Sequence, residues 1–357
     1  MTASGAQLAT SYTEAVTVDI GDGPHAHIAY SASTDAIWVL NGRDRSASIL
    51  DGGTAQPRAR IDLGGEPRHL IIDDKADRAY IPVREDALVV IRLSTGEIEK
   101  RVEFESGTSP NVLVPQAPLD RIYVLGDDGA CPIVSVSGLS VDKTITVGAR
   151  PAWGQPHKEA FGKVHVTNFE DGTVSVISDD TAEVVATVPV GKGPNRNAVY
   201  RERNSMYSAN LGDNTLTGIS VLDHAVIGTV QLDIDPFRLV PAEKKTGRPE
   251  IWVLGRGNEN DPGGIRTVDA STHTVSASLE TVEHPANWLF EGSIGQVVSQ
   301  RTREMAVVDT RTRSVVGAAR LSHDPDLDCL SNMVFGADHG LFLCNADNTV
   351  TLLRPTS

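Results

Sequence analysis

Two short stretches of the 357-residue chain carry the side chains most able to do chemistry: His25 with His27, and Arg68 with His69. An imidazole moves protons near neutral pH. A guanidinium beside it would hold an anionic substrate group and stabilise negative charge as it develops. A hydrolase, a lyase or a cyclising isomerase can work with that pairing and without a redox cofactor. Neither stretch belongs to a known catalytic signature, and the chain has no HExxH, GxSxG, P-loop or dinucleotide fingerprint. Such residues become a site only in a fold that gathers distant segments.

A repeat supplies that fold. Short apolar strands carry a ring at one slot: AIWVLN, RAYIPV, RIYVLG, KVHVTN, SMYSAN, EIWVLG and LFLCN. The slot residues Trp38, Tyr80, Tyr123, His165, Tyr207, Trp252 and Phe342 are spaced by 42, 43, 42, 42, 45 and 90 residues. The last gap is two periods, and GQVVSQ near Val298 fills it, which makes eight copies. A second marker agrees: Pro24, Pro67, Pro110, Pro151, Pro194, Pro236, Pro285 and Pro325 each precede the first strand of a copy. Each copy holds four short alternating runs separated by turns such as FEDG, and no helical period is evident. Four strands per repeat of about forty residues describe a β-propeller blade.

The expected fold is therefore all-β, a single propeller domain over 1–357 with eight blades, or seven if the irregular PAWGQPHKEA is not a true inner strand. Residues 1–14 are expected to be a flexible N-terminal segment. The last copy lacks its outer strand, and Ala15–Ile20 would supply it, closing the ring and removing exposed sheet edges.

Closure places the segments around the marker prolines at the mouth of a central channel, the concave place where ligands bind. His25, His27, His69 and Arg68 are the candidate catalytic residues. Asn111, Trp153, Asn195, Arg196, Asn197, Arg238, Asn287, Trp288, Asp326 and Asp328 are the candidate substrate-binding residues. Blades eight, one and two adjoin on closure, so His25, His27, His69, His323 and Asp326 form the candidate set should a divalent metal be held. No cofactor is expected, and polar residues filling a wet channel without a ligand are the alternative explanation of the whole ring. His165 occupies a slot used elsewhere by Tyr and Trp and is expected to pack in the core.

KVHVTNFEDGTVSVI resembles the YVTN repeat of bacterial propellers, and NSMYSANLGDNTLTGISV is a second copy of it. That resemblance implies a propeller, in a family that includes secreted binding proteins as well as enzymes. PRHLIIDDKADRAYI is similar to a segment of propeller lactonases of the 6-phosphogluconolactonase type. The likeness implies pocket roles for Arg68 and His69; the slots that the family fills with Asn-Glu hold Val83 and Arg84 here.

Composition narrows the partners. The net charge is −15 and Lys and Arg do not cluster, so nucleic acid is not expected. No segment approaches the roughly 20 apolar residues of a membrane helix. The N-terminus lacks the pattern of a signal peptide, and three cysteines without CxxC spacing fit a reducing compartment. The expectation is a cytoplasmic protein whose partner is a small molecule. Two functions stay open: an enzyme using His acid–base chemistry with Arg charge stabilisation on a small anionic or polar molecule, and a non-catalytic propeller binding a ligand or a protein.

Overall fold

The computed structural model describes residues 9–23, 25–116, 120–157, 162–257, 262–299, 301–326 and 332–356, with the backbone alone for 25, 26 and 157. Eight antiparallel sheets of four strands follow one another along the chain. Seven are built from consecutive strands, starting at His25–Ser31, Ile71–Asp73, Pro110–Gln116, Pro151–His157, Pro194–Tyr200, Asp235–Pro241 and Pro285–Glu291. The eighth takes three strands from the C-terminal end (Met333–Phe335, Leu341–Cys344, Thr349–Pro355) and its outer strand, Tyr12–Asp19, from the N-terminal end.

Packing shows the ring is shut. The two middle strands of each sheet are buried on both faces, so apolar side chains of each sheet meet those of the next. Eight hydrophobic clusters result, one at every junction between neighbouring blades. The last joins Ile28, Ile37, Val39 and Leu50 of blade 1 to Phe342, Val350 and Leu352 of blade 8.

The ring slot behaves as its spacing predicts. Trp38, Tyr80, Tyr123, His165, Tyr207, Trp252 and Phe342 are all fully buried. In blade 7 the slot falls on Gln296, two residues before Val298, as the pairing of Leu289 with Gln296 requires. Gln296 donates to the Tyr12 hydroxyl at 3.0 Å. The aromatic ring missing from blade 7 thus comes from the closing strand. That strand starts at Tyr12, earlier than the expected Ala15: Tyr12, Thr13 and Glu14 pair with Pro355, Arg354 and Leu353, so these three residues do not belong to a flexible segment. Gly317, on the outer strand of blade 7, allows the approach, because a Cβ there would overlap the Thr10 carbonyl oxygen.

The irregular PAWGQPH is a true inner strand, paired from Pro151 to His157 with Lys163–Asn168. Its irregularity has a cause: a Cβ at Gly154 would lie 2.3 Å from Val114 Cγ2 of blade 3.

A side-chain clamp recurs at the end of the second strand. Asn41, Asn168, Asn210 and Asn345 each donate through Nδ2 to two hydroxyls across the hairpin: Ser46 and Ser48, Thr173 and Ser175, Thr215 and Thr217, Thr349 and Thr351. The clamp satisfies buried polar groups and pins the turn. Asn168→Ala strands two hydroxyls, and should cost about 1–3 kcal/mol; denaturant unfolding would show it as a lower midpoint at unchanged slope.

Candidate functional site

The inner strands carry one further device. In blades 1, 3, 4, 5, 6 and 7 the register shifts by one residue just after the first position, between His25 and His27, Pro110 and Val112, Pro151 and Trp153, Pro194 and Arg196, Pro236 and Arg238, and Pro285 and Asn287. Blade 2 shows the same shift between the bridge of Pro67 with Val83 and the pair of Ile71 with Tyr80. A β-bulge re-aims the residue that follows it. The backbone of His25 stands in the proline position, so blade 1 runs one residue out of step with its marker Pro24. After the bulge, equivalent positions around the axis hold His27, His69, Val112, Trp153, Arg196, Arg238 and Asn287.

Four of these make a continuous chain of ring and guanidinium contacts. The His27 and His69 rings lie 4.6 Å apart, tilted by 37°. His69 meets Trp153 edge-on at 5.7 Å. The Arg196 guanidinium sits 4.1 Å above the Trp153 ring and 5.9 Å from Phe237, the bulge residue of blade 6. Phe237 also receives Arg238 at 5.4 Å and Arg256 at 3.5 Å. Aromatic faces steady cations that have lost water. The hub of an acidic protein is thus cationic on one side, with neutral imidazoles on the other.

Arg196 decides what this arrangement can do. It is 6% exposed, its Nε has no hydrogen-bond partner, and among the described residues it forms no ion pair with a carboxylate. Burial, with Arg238 and Arg256 nearby, pushes its proton affinity well below that of a free arginine. The same surroundings act on the histidines. Burial first, then Arg196, lowers the His69 pKa to about 3. Burial, His69, Arg238 and Arg196 lower that of His27. Both rings are neutral at pH 7, and each has a buried Nδ1 without a hydrogen-bond partner.

A pH effect follows. A histidine with a depressed folded pKa leaves the unfolded chain binding more protons below pH 6.5. The stability tied to neutral His69 is present above that value and is lost as pH falls from 6.5 towards 3. His69→Asn should flatten the pH dependence of unfolding there by about 1.4 kcal/mol per pH unit, measured by urea titrations at several pH values.

The other predicted residues lie elsewhere. Arg68 turns away from His69 to the rim, donating to Asn111 Oδ1 at 3.4 Å and pairing with Glu66 at 3.2 Å. Asn111 in turn donates to Asp127. Asn197 is buried and donates to the His165 carbonyl oxygen, and Asn195 is the bulge residue of blade 5. Asn287 donates to Asn332 and accepts from the Trp288 N–H, so its amide is engaged internally. Trp288 packs with Val282, Val297 and Phe290 in the core between blades 6 and 7, away from the channel mouth. Asp326 is buried ahead of the inner strand of blade 8. Asp328 and the His25 side chain lie outside what the structure describes. His323 does not join His27 and His69: its Nδ1 bonds Asp347 at 2.6 Å in a cleft with Arg303, Ser322 and Asp324. Among the described residues no three His, Cys, Asp or Glu side chains come together as metal ligands.

Two hub residues were missed as site members. Phe237 reads as an ordinary apolar residue, and its role comes from the bulge. Arg256 extends the strand EIWVLG by one residue into the long 255–264 loop, whose residues 258–261 are outside the description; a charge at the inner end of an unusually long loop was the available signal.

No family model matches the chain, and no curated protein matches it by sequence. Solved structures do match in shape. One is BamB from Moraxella catarrhalis, 14% identical, with a TM-score of 0.70 over 96% of this chain and 100% of that one. Another is the computationally designed protein Ika8, also 14% identical, with a TM-score of 0.75 over 95% of this chain and 98% of that one. The chain is an eight-bladed β-propeller. At that identity the likeness is one of fold alone, and a fold does not fix a function. No helix among the described residues is long and apolar enough to cross a membrane.

Proposed function

We propose that the hub binds a small organic anion and that the protein acts on it by proton transfer. The acidic group of the ligand is held by Arg196, Arg238 and Arg256, and its reacting part faces the His27–His69 pair. The observation that carries this reading is Arg196: a buried cation, fixed between two aromatic faces, with no carboxylate partner among the described residues. A charge in that position is costly without a counter-ion, and a ligand's carboxylate or phosphate supplies one bidentately. The neutral imidazoles opposite are acceptors for a proton, and the guanidinium sector stabilises the negative charge left behind. The reaction classes consistent with this set are hydrolysis, elimination and cyclising isomerisation. Arg68 belongs to the rim, where it orders the entrance.

The Asn clamp of blades 1, 4, 5 and 8 supports kinship with YVTN-repeat propellers, and a buried Cys131 whose thiol burial pushes up to about 12 fits a reducing, cytoplasmic setting. A second reading, a non-catalytic binding propeller, is favoured by apolar side chains exposed on outer strands, including Val185, Val226, Ile227 and Val315.

Thermal unfolding with succinate, citrate and inorganic phosphate tests the proposal. An anion present at a hundred times its Kd should stabilise the protein by about 2.7 kcal/mol, whereas a neutral polyol at the same low concentration, too dilute to act as an excluded osmolyte, leaves the midpoint unmoved. Equal midpoints with and without every anion would contradict it. Once a substrate is found, His69→Ala or His27→Ala should lower turnover by at least ~100-fold.

A further inference from the structure

Resting on the anion-binding reading, we propose that an anion entering the arginine sector draws one proton onto the His27–His69 pair, so that binding and proton uptake are a single event. The geometry links the two sides of the hub. Trp153 touches both His69 and Arg196, at 5.7 and 4.1 Å, so one indole ring joins the imidazoles to the guanidiniums. Each imidazole keeps a buried Nδ1 with no hydrogen-bond partner, which leaves the pair able to take a proton without breaking a bond.

Among the described residues, the side chains whose charge shifts the pair are arginines and the neighbouring imidazole. Arg196 and Arg238 act on His27, Arg196 acts on His69, and Arg256 acts on Arg196. Arg68, beside His69 in the chain, is engaged with Glu66 and Asn111 at the rim. Blade 3 offers Val112 at the equivalent position. From blade 8, whose inner strand packs on that of blade 1, the titratable groups are buried Asp326 and His323, the latter bonded to Asp347. Burial is the first reason both rings are neutral, and on top of burial the arginines impose a repulsive field. An anion among them cancels part of it and adds an attraction for positive charge. Two imidazolium rings 4.6 Å apart would repel each other, so uptake stops at one proton shared by the pair.

Sulfate tests this, because it does not titrate between pH 7.5 and 5. Its affinity for the wild-type protein should rise about fivefold or more from pH 7 to pH 5.5, by the reciprocity of linked binding. Adding sodium sulfate to unbuffered protein near pH 5.5 should turn the solution more alkaline. In His27→Asn/His69→Asn both responses should vanish while sulfate still binds. Should that variant fail to fold, Arg196→Met provides the comparison: its solution should show no alkaline shift. Wild-type binding that is level with pH and leaves the solution pH unchanged would overturn the coupling and leave the anion site standing. Sulfate binding that Arg196→Met retains in full, or that the wild type lacks, would overturn the anion reading itself.

Discussion

Deletion of residues 1–19 is expected to leave a chain that no longer unfolds in one cooperative transition and that aggregates on concentration. The outer strand of blade 8 meets Thr349–Pro355 at seven paired positions. Without it, that strand presents an unpaired edge, the template on which other chains add. Tyr12 leaves the junction between blades 7 and 8, stranding the Gln296 amide in the core. Burial of one aromatic side chain contributes about 2–3 kcal/mol, and an orphaned buried amide costs a further 1–3 kcal/mol. With the lost backbone pairs, the total is on the order of 5 kcal/mol or more, comparable with the whole stability of an ordinary domain. Differential scanning calorimetry checks it: the intact chain should give one sharp transition and the deleted chain a broad, lower one. Retention of the original midpoint would mean that the ring does not depend on its closing strand.

Arg196→Met is expected to do two things at once: raise the stability of the ligand-free protein and abolish its response to anions. The two contributions at this position oppose each other. The guanidinium gains about 0.5–2 kcal/mol from the Trp153 and Phe237 faces, but its desolvation and the repulsion from Arg238 and Arg256 amount to several kcal/mol. Removal of an uncompensated buried charge for an apolar side chain of similar reach should therefore stabilise, by about 1 kcal/mol or more. Chemical denaturation of the two proteins measures the first effect, and the thermal shift with phosphate or succinate measures the second. A stabilised protein that has lost its ligand response is the mark of a residue kept for binding. Destabilisation with a preserved anion response would assign Arg196 to the core.

Much of this architecture was written in the repeat. The period of the ring slot, the marker prolines and the strand Ala15–Ile20 gave eight blades and a closed ring, because a propeller repeats one supersecondary unit and each unit must bury the same positions. The match of His27 with His69 was legible for the same reason, and so was the presence of Trp153, Arg196 and Arg238 near the mouth. Side-chain partners were not legible. His323 finds Asp347 and Trp288 enters the core between blades 6 and 7, outcomes that depend on rotamers and on a bulge that moves each register by one residue. Arg68 sits beside His69 in the chain and yet faces Glu66, because adjacent residues around a bulge diverge. The Gln296–Tyr12 pair joins residues 284 positions apart and has no signal in either local pattern.

The central claim is that the hub, and not the rim, is the anion site. A crystal of the protein soaked in selenate, located by its anomalous scattering, tests it most directly. The account predicts an anomalous peak enclosed by the guanidiniums of Arg196, Arg238 and Arg256, within hydrogen-bond distance of at least the first. A peak confined to Arg68 and Arg84, which both pair with Glu66 at the rim, with none in the hub, would contradict it.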